Sequence, residues 1–340
     1  MNTILVTGAT GFLGFHVVRR LNERGVRPRV LELRNSDRTP LAELDVDVVE
    51  GHLEDQSALD TACTGVDTLL HLAFRVAVGG GAKTEEEMRR INIVGSERLL
   101  RSAATHGVRT AVVSSSALSV GINREPEPLD ESADWNQHPY EIPYVIVRRE
   151  AERAALAMAA PEFTVVAVCP SFTMGPRDPV GAPANKLLKT VAAGKMRLKV
   201  PVGFGCLDVR DFADGVLLAA ERGRSGQRYL LSGENVTAEQ FLGLAATAAG
   251  VRPPRLQPPR PLLTAAVTVI GLVSKLRKKE PPITPGVLQL IGRNAWYDTT
   301  RARSELGWTS RPLQQTVEET IAWLRQDGLA APRPAKGSNR

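Results

Sequence analysis

The chain has 340 residues, of which 43% are hydrophobic and 24% are charged. This length and apolar content exclude global disorder and predict one large domain or two unequal lobes. No apolar run is long enough to favour stable membrane insertion, and the first residues lack the pattern of a signal peptide. Cys63, Cys169 and Cys206 are widely spaced, which predicts a reduced, cytoplasmic protein without a disulfide framework.

The net charge of +6 is unevenly distributed, since residues 252–340 carry a net charge of +9. A basic segment can indicate nucleic-acid binding, but neither a recognition motif nor a pattern of stacking aromatic residues accompanies this one. A solvated basic face is therefore expected. The expected partner is a small-molecule substrate and not a nucleic acid, and the chain is expected to be a monomer or a homodimer.

Apolar segments alternate with amphipathic ones along the first half of the chain. The predicted strands are residues 3–8, Val30–Leu33, Val46–Glu50, Thr68–Ala73, Ala111–Ser114 and Thr164–Val168. One predicted helix follows the first strand, another opens with a capping box at Thr84–Glu87, and a third covers Tyr144–Ala159. Strands too apolar to have a solvated face, alternating with helices, predict an α/β fold: a Rossmann-type, doubly wound parallel sheet.

From about residue 176 the elements become shorter and are interrupted by proline, glycine and basic residues. We therefore expect a dinucleotide-binding domain over residues 1–175, to which about 205–232 return, and a smaller C-terminal substrate lobe over 176–330. Residues 331–340 are expected to be a flexible tail. The apolar segment Leu262–Val273 is expected to be a lid or core helix of the lobe, with an amphipathic membrane-surface helix as the alternative.

A glycine-rich segment lies between the first predicted strand and the first predicted helix. Gly8 permits a tight turn, Gly11 lets backbone N–H groups approach a pyrophosphate, and Gly14 allows the helix to pack closely on the strand. The order strand, loop, helix predicts a dinucleotide-binding site, with purely structural turn glycines as the alternative. The cofactor contacts expected from the loop are those of Gly8, Thr10, Gly11, Phe12, Leu13 and Gly14.

The spacing G-x-x-G-x-x-G resembles that of the extended short-chain dehydrogenase/reductase family. This family includes sugar-nucleotide epimerases and dehydratases and enzymes like dihydroflavonol reductase. Further matching segments are His71-Leu72-Ala73, Asn92 with Gly95-Ser96, Val113–Ser116, Asp208–Asp211 and Thr300–Trp308. The resemblance implies additional cofactor contacts from Leu72, Ala73, Ser114, Pro170 and Thr173.

The resemblance also implies the catalytic residues Tyr144, Ser116 and Arg148. Tyr144 matches the tyrosine of the family motif Y-x-x-x-K, whereas Arg148 replaces its lysine. Residues four apart share one helix face, so the phenol of Tyr144 can donate a proton to a nascent alkoxide with a cation beside it. Tyr144 and Arg148 are also expected to contact the cofactor, and Ser116 is expected to polarise the carbonyl group. A guanidinium is bulkier than an ammonium, so this departure also fits a non-catalytic surface arginine.

The predicted substrate side is more apolar than in sugar-nucleotide enzymes. Phe172 and Met174 stand where epimerases commonly have asparagine and tyrosine, and Val120 replaces another tyrosine. Sugar sites need fixed polar partners, so this pattern favours a lipophilic or aromatic ketone, with simple core packing as the alternative. The expected substrate contacts are Phe74, Ser116, Phe172 and Met174.

The cofactor type depends on the end of the second strand. An acid there binds the ribose hydroxyl groups of NAD, whereas arginine favours the 2′-phosphate of NADP. Glu32 takes the position of the acid if the preceding turn has no insertion, and Arg34 takes the phosphate-reading position if it has one. With Arg38 also available, NADP(H) is predicted, with some tolerance of NAD(H). His52 and Leu53 are expected beside the adenine.

These features predict a ketoreductase that transfers hydride from NAD(P)H to a carbonyl of a bulky, lipophilic or aromatic compound, such as a polyketide or other secondary metabolite. One alternative is a sugar-nucleotide epimerase or dehydratase that uses tightly held NAD. Another is a dinucleotide sensor without catalytic activity, which the replacement at Arg148 motivates. No metal site is expected.

Overall fold

The computed structural model describes residues 3–76, 81–133, 135, 142–259, 262, 265 and 290–326. The strands are β1 (Ile4–Thr7), β2 (Arg29–Glu32), β3 (Asp47–Glu50), β4 (Thr68–His71), β5 (Thr110–Ser114), β6 (Thr164–Pro170), β7 (Phe172–Met174), β8 (Val202–Asp208), β9 (Arg228–Leu231), β10 (Asn235–Thr237) and β11 (Arg293–Ala295). The helices are α1 (Phe12–Glu23), α2 (Gln56–Cys63), α3 (Gly81–Arg89), α4 (Ser96–Thr105), α5 (Pro143–Leu156), α6 (Pro183–Ala192), α7 (Val209–Arg222), α8 (Ala238–Ala248) and α9 (Leu313–Gln326). A π-helical segment, Arg90–Gly95, joins α3 to α4.

Seven parallel strands form the main sheet in the order β3-β2-β1-β4-β5-β6-β9. The order reverses between β1 and β4, and in such sheets ligands bind beyond the carboxyl ends of the strands at that point. The predicted Rossmann-type fold is therefore confirmed. Both faces of the sheet are covered, because Leu5 and Val6 point to opposite sides of β1 and are both fully buried.

Each face of the sheet has its own hydrophobic core. On the face of Val6, helices α1 and α7 contribute Val17 and Phe212. On the face of Leu5, helices α2, α4 and α5 pack against the strands. Because neither face of the sheet is exposed to solvent, the strands are continuously apolar, as the sequence indicated.

A smaller lobe is built around β8, which pairs with β7, β10 and β11. Helices α6, α8 and α9 cover it with a core that includes Leu188, Phe241 and Val317. The chain returns to the large domain through α7 and β9 and again at Ala302–Trp308, whose apolar side chains pack in the core on the Val6 face. This second return was not anticipated for the segment 176–330.

Two local predictions differ from the structure or lie outside it. Thr84 was expected to cap a helix, but α3 already begins at Gly81, so Thr84 lies within the helix. The predicted helix Leu262–Val273 and the tail 331–340 fall almost entirely outside the described residues. Among the described helices, none is both long and apolar enough to cross a membrane.

Candidate active site

The glycine loop between β1 and α1 forms a narrow cradle. Gly8 has a φ of +76°, and a Cβ there would lie 2.8 Å from the Cα of Ala73. A Cβ at Gly14 would lie 2.0 Å from the carbonyl oxygen of Gly8. Gly11 is the N-cap residue of α1, and no side chain among the described residues caps this N terminus. A pyrophosphate fits this arrangement, because backbone N–H groups and the positive end of the helix dipole face the loop.

Glu32 lies at the carboxyl end of β2, directly beside the glycine loop. The amide of Thr10 donates to Glu32 Oε1 at 3.1 Å, and the Thr10 hydroxyl donates to Oε2 at 3.0 Å. The side chain is buried, and burial raises the pKa of its carboxyl group. The structure thus places Glu32, and not Arg34, at the end of β2. This placement corresponds to a turn before β2 that has no insertion.

Arg34 and Arg38 follow Glu32 and converge on a second carboxylate. Glu50, which is the register partner of Glu32 on β3, lies 2.8 Å from Arg38 Nη2 and 3.6 Å from Arg34 Nε. The Arg34 side chain is 84% exposed. Among the described residues Arg38 Nε has no hydrogen-bond partner. Two guanidinium groups and two carboxylates therefore surround the place where the second strand of such a fold meets the adenosine ribose.

His52 and Leu53 lie just beyond β3. His52 Nδ1 is 3.2 Å from a carboxylate oxygen of Glu54. Leu53 is buried against Gly95, where a Cβ would come within 2.9 Å of the leucine Cβ. Both residues follow the carboxyl end of β3, and their contact with the adenine stays a prediction.

A buried chain of hydrogen bonds fixes the end of β4. The Ala73 amide donates to Thr7 Oγ1 at 3.2 Å, and Thr7 Oγ1 lies 2.7 Å from His71 Nδ1. His71 Nε2 lies 2.7 Å from Ser96 Oγ, whose hydroxyl donates to the carbonyl of Asn92. A neutral His71 with its proton on Nε2 satisfies every group in this chain. Burial lowers the pKa of His71 to about 4, which agrees with the neutral form.

Tyr144 and Arg148 share one face of α5, and Phe74 from the loop after β4 packs against both. The rings of Phe74 and Tyr144 meet edge to face, with centroids 5.8 Å apart. The guanidinium carbon of Arg148 lies 3.3 Å from the centroid of Phe74 and 5.7 Å from that of Tyr144. Arg148 Nη1 donates to the carbonyl of Ser114 at 2.8 Å. Arg148 is thus a buried residue of the site, and the alternative of a surface arginine is excluded.

Burial lowers the pKa of Arg148, while the charge and hydrogen bonding of Tyr144 act in the opposite direction. The guanidinium nevertheless keeps its charge at neutral pH, because arginine is effectively always protonated in proteins. Among the described residues Arg148 Nε has no hydrogen-bond partner. A buried donor without a partner suits a polar ligand such as a ribose hydroxyl group.

Ser116 lies directly after β5, at the same edge of the sheet. Its Oγ accepts a hydrogen bond from the Leu118 amide at 3.3 Å and caps a short 3-10 turn. The neighbouring Ser115 and Ser119 both donate to Oε2 of the buried Glu152 on α5. This contact joins the serine turn to the helix that carries Tyr144.

Glu152 and Arg228 are site-supporting residues that the sequence analysis did not single out. Arg228 Nη1 donates to Glu152 Oε1 at 3.1 Å, and the Glu152 side chain is only 2% exposed. A signal was present, because Glu152 lies four residues after Arg148 on the same helix face. Two buried hydroxyl groups at neighbouring strand ends, those of Ser171 and Ser232, also lack partners among the described residues.

The lobe contributes aromatic side chains after β6. Phe172 and Phe204 are half-buried, with ring centroids 4.9 Å apart. Met174 has no exposed surface and packs in the lobe core, so the structure does not bring it to an open wall. Thr173 donates its hydroxyl to the Ser171 carbonyl, and Pro170 is buried at the end of β6.

The chain is similar to known proteins over nearly its whole length. A model of the NAD dependent epimerase/dehydratase family matches residues 4–232. Sterol demethylase protein B of Methylococcus capsulatus is 31% identical over 331 residues, which cover 96% of this chain and 99% of that protein. The 4-hydroxy-2-methyl-3-oxo-4-farnesyl-3,4-dihydroquinoline-1-oxide ketoreductase of Stigmatella aurantiaca is 28% identical over 337 residues and 96% of each chain. The crystal structure of gox2253 has a TM-score of 0.85 and 32% identity, covering 97% of this chain and 100% of that one.

Proposed function

Because the chain belongs to the NAD-dependent epimerase/dehydratase family, we propose that it is an NAD(P)H-dependent ketoreductase for a bulky, lipophilic or aromatic carbonyl compound. The membership confirms the resemblance drawn from the motifs. The predicted oxidoreductase class is confirmed at the level of the family and its relatives named reductases. The observation that carries the proposal is the position of Tyr144 and the buried Arg148 around the ring of Phe74, at the carboxyl end of β5.

The glycine loop and Arg148 are the groups that would hold the cofactor, which supplies hydride when bound. Tyr144 donates the proton that neutralises the developing alkoxide. The Arg148 charge stabilises the phenolate that remains, and the Ser116 hydroxyl donates a hydrogen bond to the carbonyl oxygen. Glu152 holds the turn that carries Ser116.

The half-buried rings of Phe172 and Phe204 support a lipophilic substrate. Phe172 lies two residues after the end of β6, and Ser116 lies two residues after the end of the adjacent strand β5. Such rings bury apolar surface and offer no partners for sugar hydroxyl groups. The Stigmatella relative is named for reduction of a farnesyl-bearing dihydroquinoline oxide, which is a compound of this type.

For the cofactor we propose NADP(H), with tolerance of NAD(H). Arg34 and Arg38 supply positive charge next to the strand end, whereas Glu32 occupies the position of the ribose-binding acid. The two arginines are shared with Glu50, which weakens their attraction for a 2′-phosphate. Titration that shows NADH bound at least as tightly as NADPH, and unaffected by Arg34→Ala, contradicts this preference.

The reaction is tested with a panel of lipophilic and aromatic ketones, NADPH or NADH, and the absorbance of the reduced nicotinamide. We expect oxidation of the cofactor by at least one ketone. Copurified NAD, with no ketone reduced, would favour the epimerase. Cofactor binding without turnover of any ketone or nucleotide sugar would favour the sensor.

The proton donor is tested by Tyr144→Phe. We expect a loss of about 10²–10⁴-fold in the reduction rate with nearly unchanged cofactor affinity, because the general acid is lost and the ring remains. Arg148→Lys should retain more activity than Arg148→Ala, since only the second removes the charge. An unimpaired Tyr144→Phe enzyme would show that the proton reaches the alkoxide by another route.

A further inference from the structure

We infer that Phe74 is a positioning residue, whose ring holds the guanidinium of Arg148 beside Tyr144. The stacked arginine thereby takes the place of the lysine in the family motif. The inference rests on the proposed cofactor site. It assigns Phe74 a different role from the predicted contact with substrate. The reason begins with the shape of the cation, because a planar guanidinium needs a flat partner that an ammonium does not need.

Phe74 supplies that flat partner. The guanidinium carbon lies 3.3 Å from the ring centroid, the distance of direct stacking. The guanidinium also donates through Nη1 to the Ser114 carbonyl and lies 5.7 Å from the ring centroid of Tyr144. Among the described residues no carboxylate forms an ion pair with Arg148, although its residue is only 7% exposed. A cation removed from water without a counter-ion needs such compensation, and the ring face provides it.

The backbone on both sides of Phe74 is held in place. The amide of Ala73 donates to Thr7 Oγ1 at 3.2 Å, which joins the loop to β1. The amide of Arg75 donates to Asn92 Oδ1 at 2.7 Å, and Asn92 Nδ2 donates back to the Arg75 carbonyl at 3.0 Å. Asn92 is itself buried in the π-helical segment. Hydrogen bonds at the residues before and after therefore hold the backbone that carries the Phe74 ring.

The consequence is that Phe74 acts on the cofactor site through Arg148. With the guanidinium stacked and Nη1 occupied, the donor Nε keeps one direction and lacks a partner among the described residues. A preorganised donor binds a ligand hydroxyl group at a lower entropic cost than a mobile one. Loss of the ring should therefore weaken cofactor binding only when residue 148 is an arginine.

The first experiment detects the stack in the protein without cofactor. A proton above an aromatic ring is shifted upfield in the NMR spectrum, so the Arg148 Nε–H resonance should lie upfield of those of exposed arginines. Arg148→Lys identifies the resonance by its disappearance, and Phe74→Leu should move it back downfield. A resonance at the ordinary position in the wild-type protein overturns the inference.

The second experiment measures dissociation constants of NADPH and NADH by nicotinamide fluorescence. Phe74→Leu should weaken binding about three- to tenfold, whereas Phe74→Tyr, which keeps the ring face, should bind within about twofold of the wild type. In the Arg148→Lys background Phe74→Leu should change binding by less than about twofold, because the stacked partner is gone. Phe163→Leu, a buried phenylalanine just before β6 at the opposite end of the sheet, is the control.

Equal effects of Phe74→Leu on cofactor binding in the wild-type and Arg148→Lys proteins, or no effect in either protein, would overturn the positioning role. An effect on the Michaelis constant for a ketone alone would restore the predicted substrate contact. Neither experiment needs a ketone to be turned over. If NMR shows the stack and cofactor binding shows the coupling, but no ketone is reduced, only the proposed reaction is refuted.

Discussion

The buried histidine His71 makes the stability of the protein depend on pH in a calculable way. Burial, and to a smaller extent the charge of Arg148, lower the pKa of His71 from 6.5 to about 4. The unfolded chain therefore takes up more protons than the folded one between these two values. Stability is fully present above pH 6.5 and is lost as the pH falls towards 4.

The magnitude follows from the two pKa values. The complete loss is about 3 kcal/mol, of which about 2 kcal/mol falls between pH 7.5 and pH 5. For a chain of this length, a loss of about 2 kcal/mol lowers the midpoint of thermal unfolding by roughly 3 °C. His16, whose pKa burial also lowers to about 4, adds a contribution of the same sign.

The assay is urea unfolding of the wild type and His71→Gln at a series of pH values from 7.5 to 5. The variant loses hydrogen bonds to Thr7 and Ser96, so its stability at pH 7.5 should be lower. Its further loss on acidification should be smaller than that of the wild type by about 2 kcal/mol. Contributions of the carboxyl groups cancel in this difference, and the same substitution at the partly exposed His106 is the control. Parallel curves for wild type and His71→Gln would refute the reasoning.

Three further outcomes are expected. Gly14→Ala should abolish measurable NADPH binding in a fluorescence titration, because its Cβ would lie 2.0 Å from the backbone oxygen of Gly8. The control Gly243→Ala in α8, whose added Cβ would have no neighbouring atom within 4 Å, should keep NADPH binding and gain up to about 1 kcal/mol of stability. Glu50→Gln should strengthen NADPH binding by about three- to tenfold and leave NADH binding unchanged, since it releases Arg34 and Arg38 from their ion pairs. An unchanged ratio of the NADPH and NADH dissociation constants would contradict this expectation. Glu152→Gln should cost about 3–5 kcal/mol in urea unfolding, because Arg228 keeps an uncompensated, mostly buried charge, and a loss below about 1 kcal/mol would contradict the assigned pairing.

The sequence by itself determined the fold class and the position of the glycine loop that is proposed to bind the pyrophosphate. The continuous apolar strands required a sheet covered on both faces, and the structure has that sheet. The glycine loop was readable because Gly8, Gly11 and Gly14 act through backbone geometry within one short segment. Tyr144 and Arg148 could be placed on one helix face because their spacing of four residues is a local property.

Only the tertiary structure decided what those residues meet. Spacing on a helix does not reveal a partner from another strand, so the stack of Arg148 on Phe74 could not be derived from the pattern. The turn before β2 left Glu32 and Arg34 as alternatives, and only the sheet register placed Glu32 beside Thr10. Contacts between segments far apart in the chain arise from packing of the whole sheet, whereas helix faces and glycine turns are set by a few neighbouring residues.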